Sequence, residues 1–402
     1  MSLGRNPIIV KIKGVLKKNA GIKDAGRAVL DAWRGAYMRF ARAVYPHDSK
    51  KVVFSCLISR TYGDNLKPIS EMLHEMRPDA NIVWMFRDCA AKKSIVPDYV
   101  TMRDPISLAG LRDYATARVW VDNFTLRSYY KRKIGKQFYL NTWHGDRAFK
   151  KYAYDAFPDG PKRIEETCDA MVAGSEFGKK VMRSAFRYNG ELITAGCPRN
   201  DCLVNPDPAK IAEIRRMLGI SDGVKLLIYC PTFRDSTINQ KFHAGVDLEK
   251  ALDDLERVTG DKWQCLFRAH HLAVGGLDLS ANDRFLDMSK YEDMADLLLI
   301  SDALITDYSS AAMDFCLKGK PVFIYQDDIE SYTSNDRQLH FRMEDSPFLV
   351  AHTQEELTRL IETTDAAKAR ENCDAIAAFF GFIETGAATR ACCEKIIEWL
   401  DR

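Results

Sequence analysis

The side chains with chemistry to offer stand where apolar runs stop. FYLNTW (138–143) leads into His144, followed by Gly145, Asp146 and Arg147. An imidazole there, beside a flexible glycine and a carboxylate able to orient it, suits general-base work near neutral pH. Taken alone, a histidine closing an apolar strand is more often a structural group. LLIYCPTFRD ends in Thr232, Arg234 and Asp235, and LFRAHH ends one strand later in Arg268, His270 and His271. Arginine and histidine donate to anionic oxygens, so both ends suit a phosphate-bearing ligand, although a surface salt-bridge loop has the same composition. ALITDYSSAAMDFCLKGKPVFIY adds a third end: a strand, then Asp307, Tyr308, Ser309 and Ser310, then a helix closed by Gly319. With Ser309 or Ser310 as N-cap, free backbone N–H groups, the positive helix end and two hydroxyls converge as a phosphate cradle without a Walker motif. The second half thus offers a diphosphate site and the first half a base, which points to transfer from a nucleotide-diphosphate donor. No DxD-type carboxylate pair is placed to hold a metal, so no metal ligand is assigned. The leaving-group charge falls to Arg, His and helix-end N–H groups.

These ends must be positioned by the elements before and after them. From residue 51, β-rich runs alternate with helical patterns: KVVFSCLI (51–58), a helix near 67–76, NIVWMF (81–86), a helix near 106–115, ARVWVDN (117–123), FYLNTWHG (138–145), DAMVAGS (169–175) and a helix over 176–188. The proline-bearing segment 196–210 marks an interdomain linker. The alternation then resumes with 224–232, 247–258, 263–270, 291–300, 302–309, 310–319 and 321–326, and helical patterns follow at 354–363 and 386–401. Strand–helix alternation means parallel, doubly wound sheets. The expected fold is α/β, with two Rossmann-like domains facing across a cleft and ligands outside the carboxyl ends of the strands. The expected divisions are a basic segment over 1–48, a first domain over 49–200, a second over 201–385 and a C-terminal helix over 386–402.

The 402 residues exceed what one hydrophobic core usually organises, and 46% hydrophobic with 28% charged residues is a globular composition. No stretch approaches the length of apolar chain that spans a bilayer, and no secretory leader pattern is evident, so a cytoplasmic location is expected. Eleven cysteines without paired CxxC units read as reduced, packed thiols. The net charge of +2 hides an asymmetry: residues 1–47 hold ten Lys/Arg and two Asp, hence +8, leaving −6 for the rest. Within 25–45, Val29, Trp33, Tyr37, Phe40 and Val44 share one helical face and Arg27, Arg34 and Arg42 another, as in a helix lying on an anionic membrane surface or one packed on its own domain. No nucleic-acid reader module is present.

NTWHGD (141–146), PTFRD (231–235), FRAHH (267–271), LITDYSSAAMDFCLKGKPVFIY (304–325) and TYGDNLKPISEML (61–73) resemble, in the same order, the CDP-glycerol glycerophosphotransferase family of teichoic-acid and capsule-polymer enzymes. The resemblance implies a GT-B fold, peripheral attachment to the inner face of the membrane, and transfer of glycerol phosphate from CDP-glycerol to a polyprenol-linked acceptor with release of CMP. No cofactor is implied, and a need for a divalent ion is left open. His144 falls on the family's WHG histidine, which deprotonates the acceptor hydroxyl, and His270 on the histidine that stabilises the leaving group. Ser309 and Ser310 are implied to hold donor phosphates, assisted by Arg234 and Arg268, with Asp235, His271 and Asp307 on the same side and Asp314 reaching the ribose. Gly145, Asp146 and Asn65 are implied on the acceptor side. The chain has Asp146 and His271 where the family usually has Thr and Pro. A ribitol-phosphate transferase, a GT-B glycosyltransferase using a nucleotide sugar, and a non-catalytic membrane scaffold are the alternatives.

Overall fold

A computed structural model describes residues 20–124, 126, 129–130, 132, 135–158, 167–232, 245–268, 282–335 and 338–402, with side chains from residue 24. Two wholly parallel sheets form its frame. The first has seven strands in the order β3-β2-β1-β4-β5-β6-β7: β1 (Asp48–Ser55), β2 (Asn81–Met85), β3 (Thr101–Arg103), β4 (Ala117–Asp122), β5 (Phe138–Asn141), β6 (Ala170–Val172) and β7 (Glu191–Ile193). The second has six, in the order β10-β9-β8-β11-β12-β13: β8 (Lys225–Cys230), β9 (Trp263–Phe267), β10 (Phe285–Asp287), β11 (Ala303–Thr306), β12 (Val322–Tyr325) and β13 (Leu349–Ala351). Each order reverses beside its first strand, at β1/β4 and at β8/β11. Ligands of such sheets bind at that crevice.

The central strands are short apolar runs because both sheet faces are covered. Val52, Phe54, Trp84, Val119 and Leu140 pack on one side of the first sheet, and Val53, Val83, Trp120 and Tyr139 on the other. Side-chain caps start the helices between them: Ser107 accepts from Gly110 N–H, Ser175 from Gly178 N–H and Asp247 from Lys250 N–H.

Three expectations change at this level. The segment 196–210 is a folded connection rather than a loose linker, with a 3₁₀ turn at Pro198–Asn200, a helical turn at Asp201–Val204 and a helix Pro208–Met217 started by Asp207. The helix Ala388–Leu400 returns to the first sheet, where Cys392, Cys393, Ile396 and Leu400 join the core beneath β1 and β4. The helix Ala20–Val44 buries Met38 and Ala41 against its domain while Val29, Trp33, Phe40 and Val44 stay more than half exposed. Its Arg34 turns inward, pairing with Asp31 at 2.9 Å and standing over the Tyr129 ring, and Arg42 is half-buried; only Arg27 of the expected basic face is exposed. Among the described residues no helix is long and apolar enough to cross a membrane.

Candidate active site

The carboxyl ends of β1, β4 and β5 face those of β8, β9 and β11 across a cleft of about 920 Å³ lined by Phe124, His144, Lys150, Arg268, Ser309 and Ser310, among others. His144 projects from the loop after β5. Its Nδ1 lies 2.8 Å from the carbonyl of Asn123, the residue after β4. A carbonyl only accepts, so in the neutral ring Nδ1 carries the proton and Nε2 keeps its lone pair. Phe124 stacks parallel to the imidazole at 5.4 Å between centroids and Trp143 lies against it at 4.4 Å. This burial lowers the His144 pKa from its ordinary 6.5, outweighing the Asn123 hydrogen bond, which raises it. The shift favours the neutral ring, with a lone pair on Nε2.

The peptide that carries His144 is held against resistance. Trp143 sits at φ +50°, a left-handed conformation that costs a residue with Cβ roughly 1–2 kcal/mol. Three side chains over-determine it. Asn141 Oδ1 accepts from Trp143 N–H at 2.8 Å, and the Trp143 carbonyl accepts from Thr142 Oγ1 at 3.1 Å and from Asn65 Nδ2 at 2.9 Å. Asn65, placed on the acceptor side by the resemblance, is 1% exposed and holds the backbone beneath His144. Asp146 does not orient the imidazole either. Its carboxylate is 2% exposed and accepts from Gly174 N–H at 2.8 Å and from the Cys197 thiol at 3.3 Å. Gly145 is buried, and a Cβ there would meet only Ala148 at an ordinary 3.6 Å.

A buried ionic cluster that sequence reasoning missed reaches the cleft floor through Asp64, Arg199, Asn200 and Asp314. Arg147, 1% exposed, donates from Nη2 to Asp314 Oδ1 and reaches Glu384 Oε1, both at 2.7 Å, with Asp146 Oδ1 3.5 Å from its Nε. Arg199 donates from Nε to Asp314 Oδ2 at 3.0 Å and from Nη1 to Asp64 at 3.3 Å. Asn200 Nδ2 bridges Asp314 and Glu384, each at 2.9 Å. Burial alone would raise the Asp314 pKa, but the two guanidiniums more than offset it and hold the carboxyl below its ordinary value. Glu384 goes the other way, because its burial outweighs Arg147. Both Asp314 oxygens accept from these donors, and the residue also lines the cleft. The only sequence signal was the density of Arg199, Asn200 and Asp201 in a segment taken for a linker.

On the opposite wall, β11 is followed by Asp307, whose carboxylate accepts from Thr232 N–H at 2.8 and 3.0 Å and from Tyr308 N–H. It fastens the loop after β8 to the loop after β11. Ser309 Oγ accepts from Ala311 N–H at 3.3 Å. Ser310 occupies the N-cap position of the helix Ala311–Phe315 with helical backbone angles and makes no side-chain cap, so of the two expected caps only Ser309 reaches the helix end. Gly319 closes the turn that follows at φ +62°. Arg268 Nη1 donates to the carbonyls of Met288 at 2.6 Å and Tyr291 at 2.7 Å, shaping the cleft wall. Arg234, Asp235, His270 and His271 lie outside the described residues. Among the described residues no group of three or more His, Cys, Asp or Glu is placed to hold a metal ion.

Comparison with known proteins gives this site a context. Residues 37–398 match the family model for CDP-glycerol:poly(glycerophosphate) glycerophosphotransferase. A teichoic acid poly(glycerol phosphate) polymerase of Staphylococcus epidermidis is 30% identical over 360 residues, covering 85% of this chain and 49% of its own length. One from Bacillus spizizenii is 28% identical, covering 88% of this chain and 93% of the relative. A teichoic acid glycerol-phosphate transferase of Staphylococcus aureus is 29% identical, with 86% and 92% covered. The chain thus spans about half of the first relative and over nine-tenths of the other two. The structure of the wall teichoic acid polymerase TagF, solved among others as a histidine variant soaked with CDPG, superposes with a TM-score of 0.79 at 26% identity over 94% of this chain and 98% of that one. The two parallel sheets are those of a GT-B-like fold, and the chain belongs to the CDP-glycerol:poly(glycerophosphate) glycerophosphotransferase family.

Proposed function

We propose that this protein transfers glycerol phosphate from CDP-glycerol to a hydroxyl of a polyprenol-linked, teichoic-acid-type acceptor and releases CMP. The observation that carries the assignment is His144: a neutral imidazole, fixed at Nδ1 and facing the cleft opposite the serine loop after β11. In the step assigned to it, Nε2 takes the proton of the acceptor hydroxyl. The freed oxygen attacks the phosphorus bearing the glycerol, and the bond from that phosphorus to the bridging oxygen breaks, so that CMP leaves with the electron pair. Ser309 and Ser310 take the donor phosphates. Arg234 and His270 take the leaving-group charge, with Asp235 and His271 beside them, on the strength of the motif resemblance. The glycerol-phosphate reading is favoured because the relatives at 28–30% identity over 85–88% of this chain carry that name, whereas ribitol-phosphate enzymes match at 24–28% over only 56–79% of it.

The lipid-borne acceptor brings the enzyme to the inner face of the cell membrane. Val29, Leu30, Trp33, Phe40 and Val44 form the surface assigned to lipid, since they are exposed on one face of the helix Ala20–Val44 whose other face packs on the protein. Exposed apolar area of this kind is stabilised by contact with acyl chains.

The test is a thermal-shift series with CMP, CDP, CDP-glycerol, CDP-ribitol, UDP-glucose and GDP, followed by CMP release with a lipid-linked acceptor. A ligand that binds only the native state raises apparent stability. Selective stabilisation by cytidine nucleotides with CDP-glycerol-dependent CMP release is expected. A uridine or guanosine preference would replace the assignment with a glycosyltransferase, and no response would replace it with a scaffold.

A further inference from the structure

The described contacts run without interruption from the base to the opposite wall. Asn65, at the head of the helix Leu66–Met76, donates to the Trp143 carbonyl at 2.9 Å and accepts from Arg199 N–H at 3.1 Å. The Arg199 guanidinium then grips Asp314, on the short helix that begins after Ser310. A second connection runs parallel to it. The loop that leaves His144 carries Arg147, also on Asp314, and then Phe149, which is fully buried in the core of the second sheet against Phe341 and Phe348. The residue before the base is therefore tied to one wall by Asn65, and the residues after it are anchored in the other.

We infer that Asn65 is a positioning residue for His144, and that the Asn65–Arg199–Asp314 chain sets the register between the base and the serine loop across the cleft. The inference rests on His144 acting as base. Asn65 is buried and stands outside the cleft lining; it acts by holding the Trp143 carbonyl, and so the next peptide, in a backbone conformation that Trp143 would not adopt unaided. Arg199 N–H fixes which way the Asn65 amide faces, because it needs the carbonyl oxygen and leaves the NH₂ group for Trp143.

The experiment measures CMP release by Asn65→Ala and Asn65→Asp in the otherwise unchanged protein and in a His144→Ala background. Ser70→Ala serves as control, since it removes a buried partner of Trp84 Nε1 on the same helix. The expected result is a kcat at least tenfold lower for Asn65→Ala, with the KM for CDP-glycerol within twofold and with Ser70→Ala near the unchanged value. In the His144→Ala background the same substitution should change residual release less than twofold, because a group acting through the base has nothing left to act on. Asn65→Asp matches the native side chain in size, accepts from Arg199 N–H and cannot donate to Trp143, so it should fall like Asn65→Ala and carries the test if Asn65→Ala does not fold. Unchanged kcat in both variants, KM rising in step with the loss, or an equal fractional loss in both backgrounds overturns the inference. Full turnover by His144→Ala would instead overturn the base assignment itself.

Discussion

The two walls of the cleft share one topology but hold their polar groups differently. On the first, His144 is locked: its ring through the Asn123 carbonyl and two aromatic faces, its backbone through Asn141, Thr142 and Asn65. On the second, three charged side chains are bound to the protein itself: Asp307 to Thr232 and Tyr308 N–H, Arg268 to the Met288 and Tyr291 carbonyls, Asp314 to Arg147 and Arg199. The difference teaches how the labour is divided. A base must be pre-set to a fraction of an ångström, because proton transfer depends on geometry. The opposite wall is a frame of charges bound to backbone and to one another, from which Ser309 and Ser310 face the cleft.

The sharpest way to break this comparison is His144→Ala. Loss of a general base lowers kcat by about 10²–10⁴-fold, and isothermal titration with CDP-glycerol should show donor affinity retained. If donor binding falls with turnover, the walls are not separable in function. Arg147→Met tests the frame beneath them. It leaves Asp146, Asp314 and Glu384 buried around an uncharged side chain, which should cost about 3–5 kcal/mol in denaturant unfolding. Glu384, already raised by burial, loses the cation that counters it, so the folded variant binds more protons and the deficit should shrink as pH falls into the carboxylate range.

Ser309→Ala combined with Ser310→Ala should raise the KM for CDP-glycerol by about 10–100-fold, as expected for lost hydrogen bonds to a charged phosphate, with kcat changed less; steady-state kinetics at saturating acceptor decide it. The smallest effect is on pH dependence. Because burial depresses the His144 pKa, the neutral, active form persists below the ordinary value of 6.5, and the acid limb of kcat/KM should have its midpoint under that value. A limb at or above it would mean that the ring is more solvated than its contacts with Phe124 and Trp143 imply.

Most of the fold was legible. The expected strands 81–86, 117–123 and 263–270 contain Asn81–Met85, Ala117–Asp122 and Trp263–Phe267, and the helix expected at 354–363 is Gln354–Thr363. Such runs declare themselves because a parallel strand covered on both faces must be apolar throughout, a local property. The three-residue strands β3, β7, β10 and β13 were not picked out, being too short to carry a pattern. The helix Ala366–Phe380 was missed as well: only Ala369, Cys373, Ile376 and Phe380 of its fifteen residues are buried, so its apolar stripe is thin.

What the sequence determined by itself was the alternation of elements, and hence that His144, Arg268 and the Asp307–Ser310 run stand at strand ends facing one cleft. What only the tertiary structure decided was which polar side chains remain available there and which are consumed in holding it together. Asp146, Asp314 and Asn65 look in sequence like ligand-facing groups; folded, each is buried and paired with protein groups, Asp314 while still lining the cleft. The physical reason is distance along the chain: Asp314 meets Arg199 across 115 residues and Arg147 across 167, and Asn65 meets Trp143 across 78. No local pattern records such a partnership, because it is created when the two sheets close on each other and each buried charge must find its counterpart.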